Sequence, residues 1–475
     1  MQTATAIPAA GSRRSLLWLL FPLMVAEVVG SLELTMIYAA MRALIADFGS
    51  ASAAGWLVTS YMLSSAAGAA LFGRVGDLLG RRRILLLVLA LAAIGSLVSA
   101  VMEDFEWVVA GRAMQGAAGS IIPLCFGIAR ERVNPAQLPF AIGLLAAASS
   151  VASATGLVFG GIIIDFFDWP MIFKVTTVLG ALAFLCVMLM VAPDRQWNPA
   201  IMREDLLGGL LFVPAAVGLL LAIDNAGHVG LTDSMTLVYG AIALLSLGAW
   251  LWRELSIPNP LIQVRLLATR DIGMGNAIFV ALALGAFQGG HIMALFGQQD
   301  PVTTGAGLGL SATAAGMLLL PANLITAACY PMVAKLCDTI GPRFTATVGF
   351  LMVVAGFGSL IFWNDNVPLV MALLVIQSVG LGVVYVTIPM VIVSASPADR
   401  VSESTGMMTV IRATAMAIGA QTVATLLSAK HAPGAASTFP GESDYITVFL
   451  FVCATALAGA ILSRFLPSRL ATRTD

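Results

Sequence analysis

Charged residues are scarce in this sequence. Only 10% of its 475 residues are charged, 59% are hydrophobic, and the formal net charge is −1. Soluble domains carry about a quarter charged residues, so a soluble protein of this composition would lack the polar groups to cover its surface. The composition excludes a soluble enzyme, a protein that binds nucleic acid through a basic field and a disordered chain. The class that remains is a polytopic protein of the lipid bilayer.

Cysteine and histidine are also scarce. The five cysteines form no C-x-x-C pair and lie away from the three histidines. We therefore expect inert thiols, no disulfide and no metal site. The sequence has no G-x-x-x-x-G-K-S/T loop, so we expect neither ATP as the energy source nor any cofactor. Scattered histidines do not supply the cluster that an intramembrane enzyme requires, which leaves an enzyme or a non-transporting receptor as a remote alternative.

Long apolar runs are abundant. A bilayer core requires about 20 apolar residues per helix, and the sequence contains fourteen candidate runs. Their mixed glycine, alanine and serine content favours close helix contacts over the alternating strands of a barrel, so we predict an all-α fold. The predicted spans are 16–41, 53–73, 84–102, 107–128, 138–164, 170–192, 206–223, 235–252, 272–296, 312–334, 344–363, 367–394, 404–428 and 445–466.

The basic residues sort to one side of this topology. If the amino terminus is cytoplasmic, most of the 24 basic residues fall in the two tails or in the loops on the cytoplasmic side. Because positively charged loops are retained in the cytoplasm, this pattern supports fourteen spans with both termini cytoplasmic. The exceptions are Arg42, Arg112, Lys174, Arg412 and Lys430.

A short loop motif occurs twice at one constant offset. Parallel repeats of this kind are typical of transporters built from two related bundles. The offset exceeds the length of six spans, so we predict an N-terminal six-helix bundle at 1–192, a two-helix insert at 193–265 that holds spans 7 and 8, and a C-terminal six-helix bundle at 266–475. The matched pairs are Asp77 with Asp338, Gly80 with Gly341, and Arg82 with Arg343.

Four motifs give the sequence a resemblance to the major facilitator superfamily. Residues 73–83 (Gly-Arg-Val-Gly-Asp-Leu-Leu-Gly-Arg-Arg-Arg) are similar to its loop motif, and 111–119 (Gly-Arg-Ala-Met-Gln-Gly-Ala-Ala-Gly) to its span-4 arginine motif. Glu33 stands where relatives usually carry an aspartate, and 56–63 match the family's span 2. In their order and placement, these motifs resemble the fourteen-span drug:proton antiporter branch along the whole chain.

The sequence departs from the family pattern at named positions. Leu78 stands where the loop motif usually has a basic residue. The exporter motif of span 5 usually has Gly-Pro before a Gly-Gly pair. In this sequence Gly156 is followed by leucine instead of proline, and the Gly-Gly pair is kept as Gly160 and Gly161. Because glycines let helices approach closely, we expect these three glycines at a helix contact. The missing proline leaves the direction of transport open.

Few ionisable side chains lie at depth in the predicted spans. They are Glu27, Glu33, Arg112, Lys174 and Arg412, and charges in lipid are costly enough that each should face a cavity, a partner or the interface. The resemblance implies that Glu33 and Arg112 couple proton movement; a fixed ion pair is the alternative. Glu27 is a second proton carrier or a cation contact, or else a satisfied polar group. Lys174 is expected to reach towards the interface.

The loop motif has a mechanical interpretation. Charge contacts at a helix terminus between two bundles can hold one state of an alternating-access cycle and release another. The alternative is that the arginines only set the topology. We expect a cytoplasmic latch made by Gly73, Asp77, Gly80, Arg81 and Arg82.

Polar and aromatic residues within the spans are candidates for a substrate cavity. His291 belongs to the same group, but a lone membrane histidine is more often a hydrogen-bonded structural residue. The candidates are Tyr38, Tyr61, Gln115, Asn276, Gln288, Asn323, Gln377, Tyr385 and Arg412.

The resemblance implies a proton-coupled antiporter that exports amphipathic small molecules or drugs by alternating access, in the bacterial inner membrane. We expect a small-molecule substrate, protons and the lipid bilayer as partners, no nucleic acid, and a monomer. The alternative is uptake, or transport of one dedicated metabolite or lipid, by the same fold. The buried acids suit a cation and the buried bases suit an anion, so the sequence leaves the charge of the substrate open.

Overall fold

A computed structural model describes residues 13–102, 104–134, 137–193, 206–257, 264–396, 401–428 and 439–469. In these ranges the secondary structure is helical and contains no strand, which confirms the all-α class. The α-helices are α1 (Arg13–Ala39), α2 (Met41–Phe48), α3 (Ala51–Leu79), α4 (Arg81–Val101), α5 (Phe105–Gln115), α6 (Ile121–Arg132), α7 (Leu138–Phe166), α8 (Pro170–Met190), α9 (Leu206–Val229), α10 (Ser234–Ser256), α11 (Arg270–Leu284), α12 (Gly289–Gln298), α13 (Pro301–Thr304), α14 (Ala312–Ile340), α15 (Pro342–Leu360), α16 (Val367–Ala395), α17 (Val401–Ser428) and α18 (Glu442–Ser463).

Many of these helices have the length and composition of membrane spans. Within the described ranges, ten segments are long and apolar enough to cross a bilayer. Large apolar side chains such as Leu189, Leu245 and Trp252 are exposed on their outer faces, as contact with lipid tails requires. The ten segments are Leu16–Ala39, Arg81–Val101, Pro170–Met190, Ser234–Ser256, Arg270–Gln298, Ala312–Tyr330, Pro342–Leu360, Val367–Ala395, Ser404–Ser428 and Glu442–Ser463; Val151–Phe166 and Val213–Gly227 are shorter apolar helices.

The helices pack in two groups joined along two seams. In the first half (α1 to α8), α1 packs on α7 and α8, and α4 packs on α5 and α8. In the second half (α11 to α18), α16 packs on α14 and α15, and α11 packs on α16, α17 and α18. The halves meet where α3 lies along α17 and where α7 lies along α14. Helices α9 and α10 pack on each other, and α9 also contacts α3 and α17.

Two of the predicted spans are interrupted. A 3-10 turn at Gly116–Ser120 separates α5 from α6, and another at Ala286–Gln288 separates α11 from α12. At Gly116 a Cβ atom would lie 2.5 Å from the carbonyl oxygen of Tyr61 in α3. Glycine permits this close approach of two backbones, so the first interruption lies at the contact between α3 and its neighbour.

The repeated loop motif forms the same turn in both halves. Gly80, between α3 and α4, has φ 103°, and Gly341, between α14 and α15, has φ 88°; both values favour glycine. Arg82 donates to a backbone carbonyl near the end of α8 at 2.7 Å, and Arg343 donates to one just after α18 at 2.9 Å. Each arginine thus ties the start of one helix to the end of the last helix of its half.

The glycines of the altered exporter motif lie at helix contacts in α7. At Gly160 a Cβ would be 2.6 Å from the carbonyl oxygen of Met36 in α1, and Gly156 also lies against α1. At Gly161 a Cβ would be 2.5 Å from the carbonyl oxygen of Ala312, at the start of α14. The third glycine therefore lies on the seam between the halves.

Candidate functional site

A cavity of about 490 Å³ lies between the two halves. Its first wall comes from α1, α3, α7 and the 3-10 turn at Gly116–Ser120. Its second wall comes from α14, α16, α17 and the 3-10 turn at Ala286–Gln288. The lining is mainly apolar with a few hydroxyl, amide and charged groups, as is typical of small-molecule sites. This central cavity is the candidate substrate site.

Three of the predicted cavity residues do not line this cavity. Gln115, Asn276 and Gln288 are buried but do not line the central cavity. The NH2 groups of two of them donate to nearby backbone carbonyls: Asn276 to the one four residues earlier at 2.8 Å, and Gln288 to the one five residues earlier at 2.9 Å. The predicted residues that do line the cavity are Tyr38, Tyr61, Asn323, Gln377, Tyr385 and Arg412.

In the described part of the chain, two charged side chains line the central cavity, one from each half. Glu27 of α1 is only 3% exposed and lies beside the hydroxyls of Ser31 and Ser149. Arg412 of α17 donates through Nη1 to the hydroxyl of Tyr385 at 2.9 Å. The cavity is therefore acidic on the wall of the first half and basic on the wall of the second.

Arg112 is the centre of a buried polar cluster in the first half. Its side chain is 1% exposed. Nε donates to the backbone carbonyl of Leu57 at 2.9 Å, while Nη1 donates to the backbone carbonyl of Glu33 at 3.1 Å and to Oε1 of Gln115 at 2.8 Å. The guanidinium also lies over the ring of Tyr61, with its carbon 4.4 Å from the ring centroid. The arginine thus links α1, α3 and α5.

The Glu33 carboxylate is joined to Arg112 indirectly. Glu33 is 2% exposed, and its Oε1 accepts a hydrogen bond from the hydroxyl of Ser96 in α4 at 3.3 Å. Ser96 in turn accepts one from the amide of Gln115, which contacts Arg112. Glu33 does not line the central cavity. In the part of the chain that the structure describes, Arg112 bonds the backbone of Glu33 and makes no direct ion pair with its carboxylate.

Hydrogen bonds join the halves at one end of the cavity. We call it the closed end; there α1 and α7 end and α3 and α14 begin. Arg42 donates to the backbone carbonyl of Gln298 at 2.7 Å, and the Gln298 amide donates to the carbonyl of Ala39 at 3.0 Å. The Asp165 carboxylate of α7 accepts the backbone N–H of Ala312 at 2.8 Å, at the start of α14. These bonds hold the two halves together at the closed end.

Asp224 is a site residue that the sequence analysis missed. Its carboxylate, near the end of α9, accepts hydrogen bonds from Ser52, from Nε1 of Trp56 at 3.2 Å and from the amide of Gln421 at 2.9 Å. Ser52 and Trp56 belong to α3, whereas Gln421 belongs to α17. The predicted seventh span ends at 223, so this aspartate lies just outside the apolar run. A carboxylate at the end of a span is common, and its position alone does not indicate a functional residue.

The structure describes part of the predicted latch. The structure describes Gly73 and Asp77 only as part of the α3 backbone, and Gly80 forms the turn given above. Arg81 donates to the backbone carbonyl of Gly127 at 2.9 Å and pairs with Glu131 at 2.7 Å, both in α6. These contacts of Arg81 lie within the first half.

Two other ionisable residues of the spans, Lys174 and His291, do not line the central cavity. Lys174 lies exposed on the outer face of α8, away from the central cavity. His291 is buried in α12, and its ring stacks on the ring of Tyr38 with centroids 5.7 Å apart. The histidine therefore contacts a cavity-lining tyrosine from behind.

The family assignment rests on a match along most of the chain. The family model of the Major Facilitator Superfamily matches residues 23–420. The chain belongs to the Major Facilitator Superfamily. Because this superfamily consists of transporters, membership confirms that the chain is a membrane transporter and not an enzyme.

Curated relatives of this transporter include drug-resistance proteins. It is 28% identical over 383 residues to the multidrug resistance protein Stp of Mycobacterium tuberculosis strain H37Rv, which covers 79% of this chain and 68% of Stp. It is 25% identical over 439 residues to the tetracenomycin C resistance and export protein of Streptomyces glaucescens, which covers 92% of this chain and 79% of that protein. Multidrug resistance is therefore a property of similar proteins.

Solved structures share the fold of this transporter. A POT family transporter in complex with 5-aminolevulinic acid has a TM-score of 0.67 at 14% identity, covering 94% of this chain and 96% of that one. The xylose transporter XylE from E. coli, in a partially occluded inward-open conformation, has a TM-score of 0.61 at 12% identity, with coverage of 94% and 96%. At these identities the likeness shows the fold alone.

Proposed function

We propose that this transporter is a proton-coupled antiporter that exports amphipathic small molecules by alternating access, and that it works as a monomer. The observation that carries the proposal is the central cavity between the halves, shut at one end and flanked by buried carboxylates. A site at the interface of two repeats, opened to either side by rocking of the halves, is the architecture of secondary transport. The resistance and export proteins among its relatives support export.

We further propose fourteen membrane crossings with both termini in the cytoplasm of a bacterium, across its inner membrane. The distribution of basic residues supports this topology and makes the closed end the outer end. The packing of α1 to α8 and of α11 to α18 supports two six-span bundles at 1–192 and 266–475, with α9 and α10 as the insert at 193–265. The cavity then faces the cytoplasm, where an exported substrate enters.

Proton coupling is assigned to Glu33, Arg112 and Glu27. Arginine stays protonated in proteins, so Arg112 cannot carry the proton itself. It holds the backbone of Glu33 and, through Gln115 and Ser96, its carboxylate. A shift of α1 against α4 and α5 changes these contacts, and with them the charge state that Glu33 prefers. Glu27 lines the cavity and is the carboxylate that water and substrate reach first.

The same cycle gives the loop motif its role. We assign Gly73, Asp77, Gly80, Arg81 and Arg82 to a cytoplasmic latch between the halves, formed when the cavity faces outward. The rigid Gly80 turn and the Arg81 contacts to α6 support this role because they fix the position of the loop. The loop then meets the second half as one unit.

A second candidate function keeps the fold and changes the task to uptake, or to transport of one dedicated metabolite or lipid. The observation that favours it is the absence of the exporter proline from span 5, where Gly156 is followed by leucine. Comparison of substrate accumulation in cells that lack or overproduce the protein separates these tasks. An exporter lowers accumulation, and an importer raises it.

Proteoliposomes with an imposed pH gradient test the antiport proposal. Moving one charge across 100 mV supplies about 2.3 kcal/mol, which is ample for concentrative transport. The probes are ethidium, tetracenomycin C and Nα-dansyl-lysine, and counter-movement of protons is followed with a trapped pH-sensitive dye. We expect at least one probe to move against the gradient and to stop with a protonophore. A transport rate that changes neither with the pH gradient nor on addition of the protonophore contradicts the proposal.

A further inference from the structure

The central cavity has one acidic and one basic side chain among its lining residues. Glu27 comes from α1 in the first half, and Arg412 comes from α17 in the second. The other ionisable residues singled out from the sequence do not line the cavity, because Glu33 and Arg112 lie behind the lining and Lys174 is exposed on the outer face of α8. A molecule in this cavity therefore meets opposite charges on opposite walls.

Both charged side chains have hydrogen-bonding capacity left over. Among the described residues that line the cavity, Oε2 of Glu27, Nε of Arg412 and Oε1 of Gln377 are buried without a hydrogen-bond partner. Buried polar atoms are normally paired, and an unpaired one carries a free-energy cost. These atoms offer a ligand two acceptors and one donor, with the carboxylate and the guanidinium on different walls.

Much of the rest of the lining is aromatic and apolar. Tyr38 and Tyr61 lie on the wall of the first half, and Phe287, Tyr330 and Tyr385 lie on the wall of the second. The rings of Phe287 and Tyr385 meet edge to face with centroids 5.7 Å apart, close to the Arg412 guanidinium. These surfaces suit a flat apolar body that carries polar groups at its ends.

We propose that the central cavity selects dipolar amphipathic molecules, with a cationic group that binds Glu27 and an anionic group that binds Arg412. This inference rests on the proposed function, in that the substrate passes through this cavity. A ligand with only a cation leaves the guanidinium unpaired, and a ligand with only an anion leaves the carboxylate unpaired. An unpaired charge beside a mainly apolar ligand site is unfavourable, so singly charged molecules bind less tightly than dipolar ones.

A charge series on one scaffold tests this selection. Nα-dansyl-lysine carries a carboxylate and a separated ammonium, its methyl ester only the ammonium, its Nε-acetyl derivative only the carboxylate, and the acetylated ester neither. Binding to the purified native protein in detergent is read from dansyl fluorescence, without any pH gradient. Because hydrogen bonds to charged groups are worth at least about a decade in affinity, we expect the dipolar compound to bind about tenfold or more tightly than the other three.

Substitutions assign the two ends of the ligand. Glu27→Gln should remove the preference for Nα-dansyl-lysine over its acetylated derivative, because the ammonium has lost its partner. Arg412→Gln should remove the preference over the methyl ester, whereas Arg412→Lys keeps it. Lys174→Gln, on the outer face of α8, is the matched control and should leave all four affinities unchanged. Retained binding of the neutral acetylated ester shows that each variant is folded.

Other outcomes overturn the inference. If the native protein binds Nα-dansyl-lysine and its methyl ester with equal affinity, the cavity is a simple cation site. If it binds Nα-dansyl-lysine and its Nε-acetyl derivative with equal affinity, the cavity is an anion site. The inference is also contradicted if Glu27→Gln, Arg412→Gln and Arg412→Lys all fail to bind any of the four compounds, including the neutral acetylated ester. Selective binding without proton-driven transport defeats the antiport proposal alone, and transport without this selectivity defeats the inference alone.

Discussion

Asp224 of α9 accepts a hydrogen bond from the side-chain amide of Gln421 in α17 at 2.9 Å. The same carboxylate accepts hydrogen bonds from Ser52 and Trp56 of α3. A single acidic group of α9 therefore binds both helices of one seam between the halves. Because hydrogen bonds to a carboxylate are among the stronger ones in proteins, we expect this group to stabilise the closed end.

Removal of this carboxylate should loosen the closed end. In a protein whose native cysteines are replaced, Ser428→Cys places a thiol at the seam, where the Ser428 hydroxyl accepts the backbone N–H of Ser52 at 2.8 Å. We expect Asp224→Ala to raise the labelling rate of this thiol by an impermeant maleimide several-fold. Each lost bond to the carboxylate is worth about 1.5–3 kcal/mol before relaxation, enough to shift the balance of two states.

Asp233 supplies the control for that measurement. It lies in the same insert, but the bonds of its carboxylate are to Asn225 and to the backbone of Met235 and Thr236. The Met235 N–H holds the pKa of Asp233 below its ordinary value, so this carboxylate is charged at neutral pH. Asp233→Ala should leave the labelling rate unchanged. An equal increase in both variants shows that the insert acts only through its overall folding.

The other seam should respond to a single methyl group. Gly161→Ala places a Cβ 2.5 Å from the backbone oxygen of Ala312, which has no flexible side chain that could move aside. Overpacking of this kind costs about 1–3 kcal/mol. We expect a lower melting temperature in detergent and faster labelling at the closed end.

Gly240→Ala is the matched control for the crowding effect. Gly240 lies in α10, and nothing lies within 4 Å of a Cβ built there. Alanine is favoured over glycine in a helix by up to about 1 kcal/mol, so this variant should be as stable as the native protein or slightly more so. If Gly161→Ala and Gly240→Ala melt alike, the α7–α14 seam is not tightly packed.

Arg112→Lys should separate charge from geometry in the buried cluster. Lysine keeps the positive charge but cannot reproduce the planar fork by which Arg112 reaches the carbonyls of Leu57 and Glu33. Loss of one such bond costs about 1.5–3 kcal/mol. We expect a lower melting temperature and loss of proton-driven transport. Transport at the native rate in this variant means that a positive charge alone suffices. Lys174→Arg, on the exposed face of α8, is the control and should change neither property.

Several features followed from local sequence. The Gly80 turn could be predicted because a glycine in a charged loop between two apolar runs has few other roles, and its recurrence at Gly341 marked the repeat. The burial of Arg112 followed from its place inside an apolar run. Glu27 and Glu33 are six residues apart on one helix, which places them some 120° apart around its axis. The structure places Glu27 on the cavity and turns Glu33 towards Ser96 of α4.

Other features depend on contacts between distant parts of the chain. Rotation of α1 within its bundle decides which of its two acids meets the cavity, and no local pattern records that rotation. The partners of Asp224 lie in α3 and α17, so nothing near residue 224 predicts them. Gln115, Asn276 and Gln288 resembled cavity residues because polarity in a span suggests a function, whereas each amide satisfies a nearby buried group.

The most direct test of the account is proton movement in proteoliposomes that contain Glu33→Gln. The amide keeps the size of the side chain and its acceptor for Ser96 but cannot gain or lose a proton. With ethidium, tetracenomycin C and Nα-dansyl-lysine as probes, the account predicts native-like probe binding, no uphill transport and no counter-flow of protons. Uphill transport at the native rate, with protons still moving, contradicts the assignment of coupling to Glu33.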